Sequence, residues 1–130
     1  MSAFHGLDIA ASGARLGKTW LDAVAHNIAN VNTVRPTDEE PFRSKLVIAQ
    51  EADGLNGVVV AGILESDGTP PLVYDPSHPY ADEEGNVTRP VVELAGQMAD
   101  LIAAQRSYQA NLSVIRSHRE AYEASMQIGR

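Results

Sequence analysis

The sequence predicts an α+β fold that is mainly α: long N- and C-terminal helices paired as a coiled coil, with a small inserted β-hairpin module and an acidic loop between them. Three observations carry that expectation. Apolar residues recur at a seven-residue spacing at each end of the 130-residue chain. Hydrophobic residues make up 44% of the chain and aromatics only 5%, which suits aliphatic, alanine-rich helices better than one compact centre. Between the ends the pattern turns from helical to extended and the charge turns acidic. The expected organisation is an N-terminal helix over residues 1–33, a β-rich and loop insertion over residues 34–88, and a C-terminal helix over residues 89–130.

The first helix is expected to start near Ser2, whose hydroxyl can cap free amides of the first turn. Leu7, Ala14, Leu21 and Ile28 form one heptad series, and Ala10, Gly17, Val24 and Val31 a second one three residues on. Asn30, Asn32 and Thr33 can bond the backbone in competition with helix, and Pro36 pushes Arg35 out of the helical region, so a stop near residue 33 follows. Gly6, Gly13 and Gly17 each cost up to about 1 kcal/mol relative to alanine, leaving the helix marginal alone. Gly13 and Gly17, with Ala10, Ala11 and Ala14 nearby, also make a small-residue patch where another helix can come close.

Residues 42–49 alternate in a strand-like way, and residues 58–64 are a largely β-branched run. These read as the two strands of a hairpin, with Asp53-Gly54 and Asn56-Gly57 supplying the positive-φ positions of the reversal. Leu72, Val73 and Tyr74 form a short third strand after a Pro-rich turn, and residues 75–86, with two prolines and four acids, read as loop. The second helix is expected from about Pro90 toward Gln127, with Thr88 as cap, Glu93 against the helix dipole and Gly129 as its end. Its seam alternates Leu94, Leu101, Tyr108, Ile115 and Tyr122 with Met98, Gln105, Leu112, Arg119 and Met126.

Charge and composition exclude several functions. Residues 1–33 are neutral, residues 34–88 carry three basic against eleven acidic side chains, and residues 89–130 carry five basic against four acidic, so the excess acid behind the net charge of -7 is all in the middle. Such a chain is not built to neutralise phosphates, and nucleic acid is not its expected partner. Arg15, Lys18, Asp22 and His26 break the first apolar stripe, and Asp100 and Arg106 the second, so neither approaches the roughly 18 apolar residues of a membrane span. No basic start and apolar block precede a cleavage site, so no cleavable secretory signal is expected. The absence of cysteine excludes disulfides, thiolate chemistry and Cys-based zinc sites.

Candidates for chemistry are few. Ser77 beside His78 resembles a nucleophile and base, but neighbours in a proline-held loop rarely face each other and no glycine elbow presents the serine. Asp75, Asp82, Glu83 and Glu84 could offer oxygen ligands to calcium, making a small metal- or ligand-binding module over residues 75–84 the alternative function, although the spacing fits no EF-hand. His5, His26, His78 and His118 show no ligand spacing, and no cofactor is expected. Gln105 and Arg119 within the seam reduce stability but select register, or reach water from its edge. Ile9, Leu16, Ala95, Ile102 and Ala103 lie off the central line and are still apolar, so two helices alone leave a face uncovered. That implies further helices from other molecules, with the chain's principal partners being itself and related chains. The seam residues expected at that interface are Leu7, Ala10, Leu21, Val24, Ile28, Leu94, Met98, Leu101, Gln105, Leu112 and Ile115.

The run Leu21-x-x-x-Ala25-x-Asn27-Ile28-Ala29-Asn30-x-x-Thr33 resembles the N-terminal signature of the flagellar rod and hook protein family. Pro41-Phe42-Arg43-Ser44-Lys45, Tyr74-Asp75-Pro76-Ser77-His78-Pro79 and Ser107-Tyr108-Gln109-Ala110-Asn111 narrow the resemblance to a small proximal-rod component over nearly the whole chain. The resemblance implies a non-enzymatic subunit of the bacterial flagellar basal body, residing in the periplasmic rod and exported by the flagellar type III apparatus. It further implies paired terminal helices in the inner layer of a helical tube, partners among other rod and basal-body components, and no direct membrane insertion. By the same resemblance Asn27, Asn30, Thr33, Tyr108 and Asn111 are tied to subunit packing.

Overall fold

A computed structural model describes residues 4–129. Helices and strands follow in the order α1 (His5–Ala29), β1 (Lys45–Glu51), β2 (Val58–Glu65), β3 (Leu72–Tyr74), β4 (Asn86–Thr88) and α2 (Leu94–Ile128). Two long helices and two small antiparallel sheets make the mainly helical α+β class expected from sequence.

α1 is continuous in spite of its three glycines because α2 lies directly on them. A Cβ on Gly17 would sit 3.2 Å from the Cα and Cβ of Tyr108, one on Gly13 would press on the Asn111 side chain, and one on Gly6 on the His118 ring. Each step forward along α1 is a step backward along α2, so the helices run antiparallel. The missing side chains let the two backbones approach, and that packing supplies what helix propensity withholds. The cap expected at Ser2 lies outside the described residues. At its other end α1 stops at Ala29 rather than near residue 33. Asn30 explains the earlier stop: its backbone N–H donates to the carbonyls of His26 and Asn27, its Nδ2 donates to His26 O at 2.9 Å, and it accepts from Thr33 Oγ1 at 3.2 Å. Residues 30–33 satisfy the helix end as a turn instead of extending it.

The hairpin begins three residues later than residues 42–49 suggested, pairing from Lys45↔Glu65 to Glu51↔Val58 with one extra residue, Ala61, at a bulge on β2. Residues 42–44 have another task. Arg43 bridges Val91 in parallel, the Val91 N–H donates to Phe42 O at 3.1 Å, and Arg43 Nη1 donates to the carbonyls of Ser66 and Gly68 at 2.8 and 2.9 Å. The tip contains a single 3-10 turn, Asp53–Leu55, and Gly57 there adopts φ 97°, which a side chain would strain.

β3 forms as expected but in a sheet of its own with β4, whose residues the sequence assigned to loop and helix cap. Thr88 therefore does not cap α2. It exchanges both backbone hydrogen bonds with Arg35 at 3.1 Å, and Arg89 N–H donates to Pro71 O at 3.0 Å. The extended path continues through the buried Pro90 to Val91, so α2 starts at Leu94, with Glu93 as cap residue, and not at Pro90. It ends at Ile128, and Gly129 follows as its C-cap.

The buried apolar residues are Ala10, Ala14, Ala23, Val24, Val87 and Ala104, all small, with Asn27 and Thr88 buried among the polar ones. Ala23, Val24 and Asn27 lie toward the end of α1, Ala10 and Ala14 nearer its start, and Val87 and Thr88 on β4. From residue 105 to residue 129, every residue but Tyr108, Asn111 and Ile115 is exposed.

Candidate assembly interface

α2 turns Leu101, Ala104, Tyr108, Asn111 and Ile115 toward α1, with Ala104 wholly inaccessible. The second series of the seam thus follows the first at three residues, through Ala104 and Asn111, and not at four. This shifts the phase from the one read from sequence: Met98, Gln105, Leu112, Arg119 and Met126 are all exposed, Met98 at 54%. The cause is the glycine surface of α1, which brings the backbones so close that alanine and asparagine fit between them where methionine or leucine would not. Leu94 is exposed as well, while Leu7, Leu21 and Ile28 are half-covered and Ala10 and Val24 buried.

The Asn27 side chain makes three hydrogen bonds and has no exposed surface. Its Oδ1 accepts the Lys45 N–H at 2.7 Å, and its Nδ2 donates to Lys45 O at 2.9 Å and to Gln97 Oε1 at 2.7 Å. One primary amide thereby joins α1, β1 and α2, with both donor hydrogens and an acceptor in use. Gln97 was not singled out from sequence and Lys45 entered only as the end of the Pro41–Lys45 run, because their partnership with a residue so distant in the chain left no local signal. Ser12 makes a second joint: its Oγ donates to Ile9 O at 2.6 Å and accepts the Val58 N–H at 3.0 Å. Asn30 and Thr33 act within the turn after α1, and Asn111 Nδ2 donates to Ser107 O at 2.9 Å within α2 while its side chain faces Gly13.

Apolar surface remains uncovered along α2. Leu94, Met98, Ile102 and Leu112 are 38 to 54% exposed, and Tyr122 and Met126 continue the series beyond the described start of α1. Phe4 meets Tyr122 with ring centroids 5.7 Å apart, and between the helix ends lies an open groove lined by Leu7, Ile115, His118 and Ala121. Among the described residues, two exposed ion pairs lie on the helices. Arg119 Nε lies 3.8 Å from Glu123 with both heads in water, and Lys18 Nζ donates to Asp22 at 2.9 Å on the outer face of α1. That hydrogen bond, then the Asp22 charge, holds the Lys18 amine above its ordinary range.

The acidic loop is organised by its own backbone. Asp82 Oδ1 accepts the N–H groups of Glu84 and Asn86 at 3.1 and 2.7 Å, Ser77 Oγ donates to Asp75 Oδ1 at 2.8 Å, and the Tyr80 N–H donates to His78 Nδ1 at 3.1 Å. Ser77 is thus bonded to Asp75 and His78 to its neighbour's backbone, so the two do not form a nucleophile and base pair. Among the described residues, no group of three His, Asp or Glu side chains is placed to hold a metal ion.

These features define a class before any particular protein: a structural chain whose helix pair keeps an apolar face and whose polar side chains serve as joints. The family model described as "Flagellar basal body rod FlgEFG protein C-terminal" matches residues 83–128. The chain is 34% identical over 133 residues to the flagellar basal-body rod protein FlgC of Salmonella typhimurium, covering 99% of each. It is 32% identical over 150 residues to that of Bacillus subtilis, covering all of both chains, and 35% identical over 132 residues to that of Aquifex aeolicus, covering 98% of this chain and 97% of the other. The chain belongs to the flagellar basal-body rod protein FlgC family.

Proposed function

We propose that this chain is a structural subunit of the bacterial flagellar basal-body rod, in its proximal part, and that its terminal helices form a coiled coil within the inner layer of a helical tube that transmits torque. The observation that carries this reading is the uncovered apolar stripe of α2, Leu94, Met98, Ile102 and Leu112, on a helix pair in a member of a rod-protein family. Such a stripe is stable when equivalent helices from neighbouring subunits cover it, and the partners are other rod and basal-body components together with further copies of this chain. The β1–β2 hairpin lies on α1 and points away from that stripe in the assembled tube. The chain reaches the periplasmic rod through the flagellar type III apparatus. No helix among the described residues is long and apolar enough to cross a membrane.

The test is incorporation. Leu112→Asp and Ile28→Asp each place a charge in a contact expected to exclude water, so each should abolish both recovery of the subunit in purified basal bodies and swimming in soft agar. Normal motility in either variant defeats the proposal. A companion expectation concerns order: the exposed part of α2 becomes fixed only when neighbours cover it. Circular dichroism of the dilute monomer should then show less helix than the 25 and 35 residues of α1 and α2 require. Full, cooperatively melting helix content would contradict it.

A further inference from the structure

The β1–β2 hairpin touches α1 at two polar points that lie at its opposite ends. At its base, Lys45 pairs with Glu65, and the backbone bond from Ser66 N–H to Ser44 O lies just outside that pair. The N–H and C=O of Lys45 face away from β2, and the Asn27 side chain takes up both, as a neighbouring strand would. At the tip, Val58 donates its N–H to Ser12 Oγ, and Gly57 lies so close to Ser12 that a Cβ there would collide with the hydroxyl. Ser12 and Asn27 are about 22 Å apart along a helix axis, and the run from Lys45 to the tip spans about 20 Å of strand, so the two spacings match. The second hydrogen of the Asn27 amide reaches Gln97 on α2, linking the same joint to the other helix.

We propose that the hairpin is a splint locked lengthwise onto α1 at Ser12 and Asn27, and that Asn27, through Gln97, is the positioning residue that fixes its angle to the helix pair. The device operates inside one subunit and stands apart from the rod reading. It assigns Asn27 to internal joinery and not to contact between subunits. The chemistry demands an asparagine: an aspartate lacks both donors, a serine has only one, and an alanine leaves the Lys45 N–H and C=O unpaired.

The chain has no cysteine, so spin labels on Gln50→Cys and Gln109→Cys, both at exposed positions, report the distance between hairpin and α2 in the full-length protein. A single narrow distance is expected in the otherwise unaltered chain. Ser12→Ala combined with Asn27→Ala should give a broad or multiple distribution, with the Lys45 and Val58 amides exchanging about tenfold faster. Asn30→Ala, which removes bonds only within the turn after α1, should leave the distance as it was. Should the double variant fail to fold, Gln97→Ala decides, because it leaves both Lys45 bonds in place and should broaden the distance while the Lys45 amide stays protected. An unchanged distance in either the folded double variant or Gln97→Ala, or equal broadening in Asn30→Ala, overturns the proposal.

Discussion

The two ends of the helix pair are built differently. Where α1 finishes and α2 begins, two sheets and the extended segment through Pro90 add a third layer, and Val24, Asn27, Val87, Thr88 and Ala104 are buried there. At the opposite end α2 runs on past α1, with Tyr122, Met126 and Ile128 exposed. The same heptad repeat runs through both regions, so periodicity alone does not make a core; burial follows wherever a further layer closes over the seam. The covered end buries side chains from several elements, and the bare end leaves apolar side chains exposed.

The sharpest way to break this contrast is at the covered end. Asn27→Asp would set a buried carboxylate against Lys45 O and Gln97 Oε1 with no donor to offer either, and should destabilise the subunit by about 3 kcal/mol or more, read as a fall in the urea midpoint. Ala104→Leu, at a site with no accessible surface, should cost about 1 to 3 kcal/mol by overpacking the close approach of the helices. Leu112→Asp sharpens the contrast from the bare side: in the isolated subunit it should change stability by no more than about 0.5 kcal/mol, although rod incorporation is lost. Equal destabilisation by Leu112→Asp and Ala104→Leu would erase the distinction between the ends. The smallest effect belongs to Lys18→Met, whose Asp22 pair is fully in water and should leave the melting temperature at neutral pH unmoved. Because that amine's pKa is raised in the folded state, whatever the pair adds is present at neutral pH and disappears only as the pH climbs through the raised value.

Much of the architecture was legible because it rests on local rules. The heptads of α1, the polar residues that end it, the glycines of the hairpin tip and the final Gly129 all act over a few positions. What was not legible depends on distance. β4 has only three residues, and their partners are Leu72 to Tyr74 on one side and Arg35 on the other, so nothing nearby marks them as strand. The start of α2 moved from Pro90 to Leu94 because Val91 is held by Phe42 and Arg43, far back in the chain. The seam phase of α2 was misread because Met98 and Leu112 are more hydrophobic than Ala104 and Asn111, whereas size, set by Gly13 and Gly17 opposite, decides what fits. Asn27 was noticed through a resemblance, but its three bonds became visible only when Lys45 and Gln97 were placed beside it.

The two helices differ in length, 35 residues against 25, and nearly all the excess projects from one side. A body shaped like this has a head and a tail. Joining two of them by a twofold axis sets like against like and closes the pair, whereas a protruding end received by the blunt side of the next copy repeats without limit and winds into a filament of fixed polarity. Direction along such a filament would then be written into each building block before any two of them have met.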